Sequence, residues 1–119
     1  MRYLDDVTAA AERLHSLLGV TQPEIAIVLG SGLDGGVDPA AISFTLQLAD
    51  LPGFPGTGVC GHAGRLSAAT LYGRPVLIFH GRYHVYEGYD AWQVTAQVRL
   101  AAAVGCRRVL LTNAAGGIA

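Results

Sequence analysis

The sequence predicts an α/β fold in which helices flank a central mixed β-sheet. Short apolar runs alternate with segments of helical periodicity, and two of the runs end in glycine-rich turns. The run at Ile25–Leu29 is wholly apolar and rich in β-branched residues, which is typical of a strand buried on both faces. With 119 residues, the chain is expected to form a single domain over residues 1–119.

The chain begins with a predicted amphipathic helix over residues 3–18. Its apolar side chains recur every three or four residues, and Gly19 follows as a stop signal. After the strand at Ile25–Leu29, residues 33–64 are rich in Gly, Pro and Asp. We expect a long loop there with one strand near residues 42–48, and ordered loops of this kind are often functional.

Turn and cap residues predict the later elements. These are a hairpin of residues 65–72 and 75–80 around Gly73-Arg74, a helix over residues 91–104 between the N-cap Asp90 and Gly105, and a further buried strand over residues 108–112. Three predicted strands end in small or polar residues, at Gly30, His80 and Asn113. Ligands of α/β sheets bind beyond the carboxyl ends of the strands, so we expect these three ends to converge on a site.

Composition excludes several classes of function. The net charge is −1, which gives no electrostatic basis for binding nucleic acid or an anionic membrane. Neither a Schiff base nor a Walker-type phosphate loop is available, because all eight basic residues are arginines. Cys60 and Cys106 are expected to be reduced, buried thiols, and no export signal or membrane-length apolar run is present. We expect a cytoplasmic protein.

Residues 30–35 (GSGLDG) follow the first predicted strand and match the pattern GxGxxG, with Asp50 twenty residues beyond Gly30. A dinucleotide-binding oxidoreductase would need a helix that opens at this loop, but the residues after it show no helical periodicity. The alternatives are a plain tight turn, or an anion-binding nest in which Ser31 adds a hydroxyl donor.

Residues 81–89 (GRYHVYEGY) follow the strand that ends at His80. If the strand continues, Arg82, His84 and Tyr86 share one face, because strand side chains alternate. There the Arg82 guanidinium could bind an oxyanion, the His84 imidazole could donate a second hydrogen bond, and the Tyr86 ring could line the site. Glu87 could accept a hydrogen bond from the imidazole. A solvated edge strand is the simpler alternative.

A metal site formed by His80, His84 and Glu87 is disfavoured. Residues four apart on a strand lie about 13 Å from each other, too far to share one ion. Residues 61–65 (GHAGR), with His62, and residues 112–117 (TNAAGG), with Asn113 and Ala114, are weaker signals that are also compatible with ordinary turns.

Taken together, four segments resemble the trimeric purine nucleoside phosphorylases, a family that includes methylthioadenosine phosphorylases. They are residues 28–33 (VLGSGL), 61–66 (GHAGRL), 81–89 (GRYHVYEGY) and 112–117 (TNAAGG), in the order and at the spacing of the family. The serine of GSGL and the tyrosines of RYHVYEGY are more similar to the nucleoside branch. The resemblance implies a phosphorylase/hydrolase-like fold.

The resemblance also implies roles for individual residues. Phosphate would be bound by Ser31, Arg82, His84 and the Ala114 amide, with His62 close to it. The ribose and substrate side would be lined by Tyr86 and Asn113, and Glu87 would support His84.

The implied reaction is reversible phosphorolysis, a pentosyl transfer in which phosphate attacks the anomeric carbon of a purine nucleoside and releases the base. Phosphate is a co-substrate, and no metal or other cofactor is implied. The full-length family members are homotrimers and more than twice as long, with the purine-recognising residues in their second half. We therefore interpret this sequence as an apparently truncated, amino-terminal portion. A noncatalytic anion- or nucleotide-binding fragment is the alternative.

Overall fold

The computed structural model describes residues 2–29, 37–52, 54, 64–80 and 91–111, with the side chains of residues 2–5 and 91–94 excepted. In chain order the elements are α1 (Arg2–Leu18), β1 (Ile25–Leu29), β2 (Ile42–Gln47), β3 (Arg65–Leu71), β4 (Arg74–His80), α2 (Ala91–Val104) and β5 (Arg108–Leu111), with short 3₁₀ turns at Pro39–Ala41 and Leu48–Asp50. The predicted helices and strands are confirmed, with ends that differ by at most one residue.

The described strands form one mixed sheet in the order β2-β3-β4-β1-β5. Strand β1 lies between β4 and β5 and is parallel to both. Strand β3 is antiparallel to β4 on one side and to β2 on the other. The predicted mixed sheet is therefore confirmed, and the apolar run of β1 occupies a position with hydrogen-bonded strands on both sides.

One face of the sheet packs against both helices, and we call it the helix face. It presents Leu66, Leu77 and Phe79, which are fully buried against Leu14 of α1 and Leu100 of α2. Strand side chains alternate between faces, so the neighbours of these residues point to the opposite side, which we call the second face. A smaller apolar cluster occupies that side: Leu29, Ala69, Val76 and Ile78. Both described helices thus lie on one side of the sheet.

Helix α1 owes its position to an apolar stripe. Ala10, Leu14 and Leu18 are buried at four-residue spacing, with Ala11 beside them, whereas Leu17, which projects from a different side of the helix, is 47% exposed. The helix ends with the Gly19 amide donating to the His15 carbonyl at 3.0 Å.

The hairpin between β3 and β4 turns at Tyr72-Gly73, one residue earlier than predicted. Leu71 is paired with Arg74, so Arg74 already belongs to β4 and the predicted Gly73-Arg74 connection was wrong by one position. The backbone φ angles of Tyr72 and Gly73 are 51° and 77°. Two positive φ angles are typical of a two-residue turn whose twist matches that of the strands it joins.

Strand β5 is not the buried strand that the sequence predicts. Leu110 and Leu111 are 55% and 56% exposed, although three of the four residues of β5 are apolar. The physical reason is its position, because β5 is one of the two edge strands of the described sheet and has a strand partner only in β1.

Cys106 precedes β5 and is a half-buried free thiol. Desolvation by burial raises the pKa of Cys106 to about 11. Cys60 lies outside the described residues. Within the part of the chain that the structure describes, no helix is both long and apolar enough to cross a lipid bilayer.

Candidate functional site at one edge of the sheet

The carboxyl ends of β1, β4 and β5 lie side by side at one edge of the sheet, which we call the motif edge. Leu29 at the end of β1 is paired with His80 at the end of β4, and Val28 is paired with Leu111 at the end of β5. Three of the glycine-containing segments follow these strand ends in the sequence, so each begins at the motif edge. The predicted convergence of the strand ends is confirmed for these last described residues.

The fourth segment enters the sheet at the same edge. Arg65 begins β3 and is paired with His80, because β3 and β4 are antiparallel. Gly64, just before it, is buried and has a φ of 136°, a backbone conformation that favours glycine. Its carbonyl accepts a hydrogen bond from the Leu48 amide, which joins this entry point to the end of β2. The four segments are far apart in the sequence, but they all meet the sheet at one edge.

The eight predicted site residues all lie outside the described residues. They are Ser31, His62, Arg82, His84, Tyr86, Glu87, Asn113 and Ala114. Their roles stay predictions, and the structure describes the strand ends from which their segments depart.

Sequence reasoning missed a chain of polar side chains that approaches the motif edge from within the sheet. The Ser67 hydroxyl lies 2.6 Å from Nε2 of His80 and 2.8 Å from the Thr45 hydroxyl. Ser67 is fully buried and His80 is 6% exposed. These three residues belong to the neighbouring strands β2, β3 and β4 and lie on the second face. We call them the polar chain.

A signal for the polar chain was present in the sequence. Ser67 and His80 each interrupt or end an otherwise apolar strand, and a buried polar side chain needs a hydrogen-bond partner. The pairing itself depends on the hairpin register, in which Ser67 lies opposite Ile78. The predicted turn at Gly73-Arg74 would place Ser67 directly opposite His80, whereas the observed turn shifts each pairing by two residues and makes the contact a diagonal one.

The disfavoured metal site gains no support from the described residues. Nε2 of His80 is within hydrogen-bonding distance of a serine hydroxyl, while His84 and Glu87 lie outside the described part of the chain. In the described ranges, no three residues of the types His, Cys, Asp and Glu are grouped closely enough to hold an ion.

The dinucleotide-binding interpretation fails on the geometry of residues 37–41. A helix that opened at Gly35 would continue through Asp38. Instead Asp38 has an extended backbone, with φ −66° and ψ 120°, and its carboxylate accepts a hydrogen bond from the Ala40 amide at 3.0 Å. The chain then makes the 3₁₀ turn Pro39–Ala41 and enters β2.

Comparison with known proteins gives a consistent result. A family profile described as "Phosphorylase superfamily" matches residues 24–119. The purine nucleoside phosphorylase of Bos taurus is 42% identical over 97 residues, which cover 82% of this chain and 34% of the bovine protein. Purine nucleoside phosphorylase 1 of Bacillus subtilis is 44% identical over 96 residues, covering 81% of this chain and 35% of that protein. The Mycobacterium tuberculosis enzyme is 40% identical over 110 residues, with 92% and 41% covered.

Solved structures agree with the sequence relatives. A Schistosoma mansoni purine nucleoside phosphorylase in complex with acetate superposes with a TM-score of 0.80 at 36% identity, over 96% of this chain and 42% of that one. A purine nucleoside phosphorylase in complex with ribose 1-phosphate gives a TM-score of 0.79 at 37% identity, again over 96% and 42%. The chain therefore spans about two fifths of the length of these proteins.

Proposed function

We propose, since this chain belongs to the phosphorylase superfamily, that the full-length protein catalyses reversible phosphorolysis of purine nucleosides of the inosine and guanosine class. The products would be a purine base and ribose 1-phosphate. The observation that carries the proposal is that the four family-like segments all meet the sheet at the motif edge. The names of the relatives, all purine nucleoside phosphorylases, support the choice of substrate class.

The proposed reaction is a displacement at the anomeric carbon of the ribose. The bond from that carbon to the purine nitrogen breaks, and a phosphate oxygen forms the new bond to carbon. The base leaves with the bonding electrons and gains a proton, which balances the proton that the phosphate loses. As in glycoside cleavage, the transition state has oxocarbenium character. A phosphate held against the sugar both stabilises the developing positive charge and is the nucleophile, so the protein contributes mainly orientation and electrostatics.

In this proposal the protein binds phosphate with the residues just beyond the strand ends. Ser31 and Arg82 each follow the last residue of their strand by two positions, and two peptide units span at most about 7 Å. Leu29 and His80, the strand ends in question, are paired in neighbouring strands. This short tethering supports a joint phosphate site for Ser31, Arg82, His84 and the Ala114 amide, with His62 beside it. Tyr86 and Asn113 would face the ribose, and Glu87 would orient His84.

The decisive variant is Arg82→Ala in the full-length protein. Loss of a preorganised charge partner for phosphate is expected to lower kcat/KM for inosine phosphorolysis by about 100-fold to 1000-fold. The measurement is the phosphate-dependent release of hypoxanthine. Arg74→Ala is the matched control, since Arg74 is exposed and lies at the opposite end of the strand that precedes Arg82; it should stay within about twofold of the wild type.

Two results would contradict the proposal at different points. A wild-type protein that releases no hypoxanthine with phosphate present overturns the reaction. A wild-type enzyme that is active, combined with an Arg82→Ala variant of equal activity, overturns the phosphate site alone.

A second candidate function is phosphate binding without turnover, which requires only the residues of this sequence. It is favoured by the fact that all four family-like segments belong to the phosphate and ribose side of the proposed site. Calorimetric titration of the 119-residue polypeptide with inorganic phosphate separates the two. Heat of binding without hypoxanthine release supports the binding module, and the absence of any binding counts against both candidates.

The reaction as proposed uses inorganic phosphate as co-substrate and needs no metal or organic cofactor. Dialysis of the full-length enzyme against a chelator should then leave its activity unchanged. We also propose a homotrimer in the cytoplasm, on the strength of the family resemblance. Light scattering during size-exclusion chromatography of the full-length protein measures the oligomeric state directly.

A further inference from the structure

The polar chain is an unusual feature of an apolar sheet. Thr45, Ser67 and His80 lie on three adjacent strands, and the hydroxyl of Ser67 lies within hydrogen-bonding distance of both of the other side chains. Around them the second face carries an apolar cluster that includes Ile78, which is fully buried two residues before His80. A histidine and a serine at such a place lose hydration on folding, and their mutual hydrogen bond helps to offset that loss.

The chemistry of the polar chain fixes the orientation of His80. A hydroxyl can donate one hydrogen bond and accept two, so Ser67 can serve both neighbours at once. The outer member, Thr45, is exposed on β2, whereas the inner pair of Ser67 and His80 is buried. The polar chain therefore runs from the solvent-facing side of the sheet to the end of β4 and holds the imidazole by Nε2.

His80 lies where its orientation can affect the candidate site as well as the stability of the sheet. His80 is the last residue of β4, is paired with Leu29 at the end of β1 and lies opposite Arg65 at the start of β3. Only Gly81 separates it from Arg82 in the sequence. Because glycine has no side chain to pack, the last side chain that can anchor the sheet end before Arg82 is that of His80.

We propose that Ser67 and His80 are positioning residues for phosphate, which act by fixing the end of β4 from which Arg82 and His84 depart. The inference rests on the proposed phosphorolysis and deepens it. Neither residue touches a substrate in this proposal. In this proposal the hydrogen bond between them holds the end of β4 in one position, and that position allows Arg82 to bind phosphate. The hydrogen bond with Thr45 holds the Ser67 side chain in one rotamer.

The test is steady-state kinetics of the full-length enzyme with phosphate and inosine varied separately. Ser67→Ala is expected to raise the KM for phosphate by about tenfold, because a small misplacement of a binding group is costly in an oriented site. The KM for inosine should change by less than about twofold. Thr45→Val, at the outer end of the polar chain, should give a smaller rise in phosphate KM of about twofold to threefold.

Rescue and control variants distinguish positioning from a purely structural role. Ser67→Thr keeps the hydroxyl and is expected to restore the phosphate KM. Thr70→Ala removes a hydroxyl from the same strand at the opposite edge of the sheet, where Thr70 is exposed and paired with Pro75, and should leave the phosphate KM unchanged. If Ser67→Ala does not fold, His80→Leu removes the same hydrogen bond from the other side and should raise the phosphate KM, whereas His80→Gln, whose amide can still bond to Ser67, should raise it less.

The outcomes separate this inference from the function on which it depends. If the wild-type protein does not catalyse phosphorolysis, both the proposed function and the positioning role are wrong. An active wild type together with a Ser67→Ala variant that has lost thermal stability, but keeps the phosphate KM, overturns the positioning role alone. A selective rise in phosphate KM that Ser67→Thr reverses supports it.

Discussion

Strands β4 and β5 lie on the two sides of β1, run parallel to it and end at the motif edge. Both consist largely of apolar residues, yet Leu77 of β4 is fully buried and Leu110 of β5 is 55% exposed. The difference lies in their neighbours. Strand β4 is hydrogen-bonded to β3 as well as to β1 and contributes Leu77 to the core shared with both helices, whereas β5 is one of the two edge strands of the described sheet. Apolar composition thus defines where a strand forms, and its place in the sheet defines how deeply it is buried.

The largest expected effect comes from truncating the buried strand. Leu77→Ala should lower the free energy of unfolding by about 2–5 kcal/mol, because it leaves a cavity beneath the helices. Leu110→Ala removes the same number of carbon atoms from β5 and should cost no more than about 0.5 kcal/mol. Chemical denaturation of the two variants measures the contrast. Equal losses would show that β5 is covered to the same extent as β4 in the protein in solution.

A smaller change in the free energy of unfolding, this time an increase, is expected at the turn that joins β3 to β4. Tyr72 is exposed and has a φ of 51°, a conformation that asparagine tolerates better than tyrosine does. Tyr72→Asn should therefore stabilise the protein by about 0.5–1 kcal/mol, seen as a rise in Tm. Tyr72→Val, a β-branched residue, is the matched control and should lower Tm. A lower Tm for the asparagine variant would contradict the turn geometry.

The last effect concerns the thiol that precedes β5, and it is confined to alkaline pH. Burial raises the pKa of Cys106 from 9.0 to about 11, so the folded state favours the neutral thiol. The unfolded chain loses that proton first, and the associated stability is complete below about pH 9 and is lost as the pH rises towards about 11. The free energy of unfolding should fall more steeply across this interval in the wild type than in Cys106→Ser. Parallel curves for the two proteins would show that the thiol is hydrated despite its place beside the core.

The contrast between β4 and β5 also explains which features of the fold could be predicted from the sequence. The apolar runs of β1, β4 and β5 were long enough to predict each strand to within a residue, and their parallel order followed the expected α/β arrangement. The exposure of β5 could not be predicted, because it depends on the absence of a strand beyond it among the described residues. The turn at Tyr72 was missed because tyrosine rarely adopts a positive φ, so its residue type gave no signal.

For the candidate site, the convergence of strand ends was predicted and the polar chain was missed. Glycine-rich segments after apolar runs mark the ends of parallel strands, and these ends share an edge by the geometry of the sheet. The bond between Ser67 and His80 joins residues 13 positions apart, and it exists only because the hairpin register brings them together. The roles of Ser31, Arg82, His84 and the other predicted residues stay predictions, to be decided by kinetics.

The central place of β1 has a consequence for how the protein is made. Ile25 pairs with Val76 on one side and with Arg108 on the other, so both partners of the strand are synthesised long after it. At 5–20 residues per second, a ribosome takes about 3–10 s to reach even the nearer partner. During that interval a strand composed of IAIVL has no place in a sheet, whereas the hairpin of β3 and β4 can form as soon as it is complete. We expect the nascent amino-terminal segment to depend on chaperones until the hairpin has left the ribosome and β1 can pair with β4.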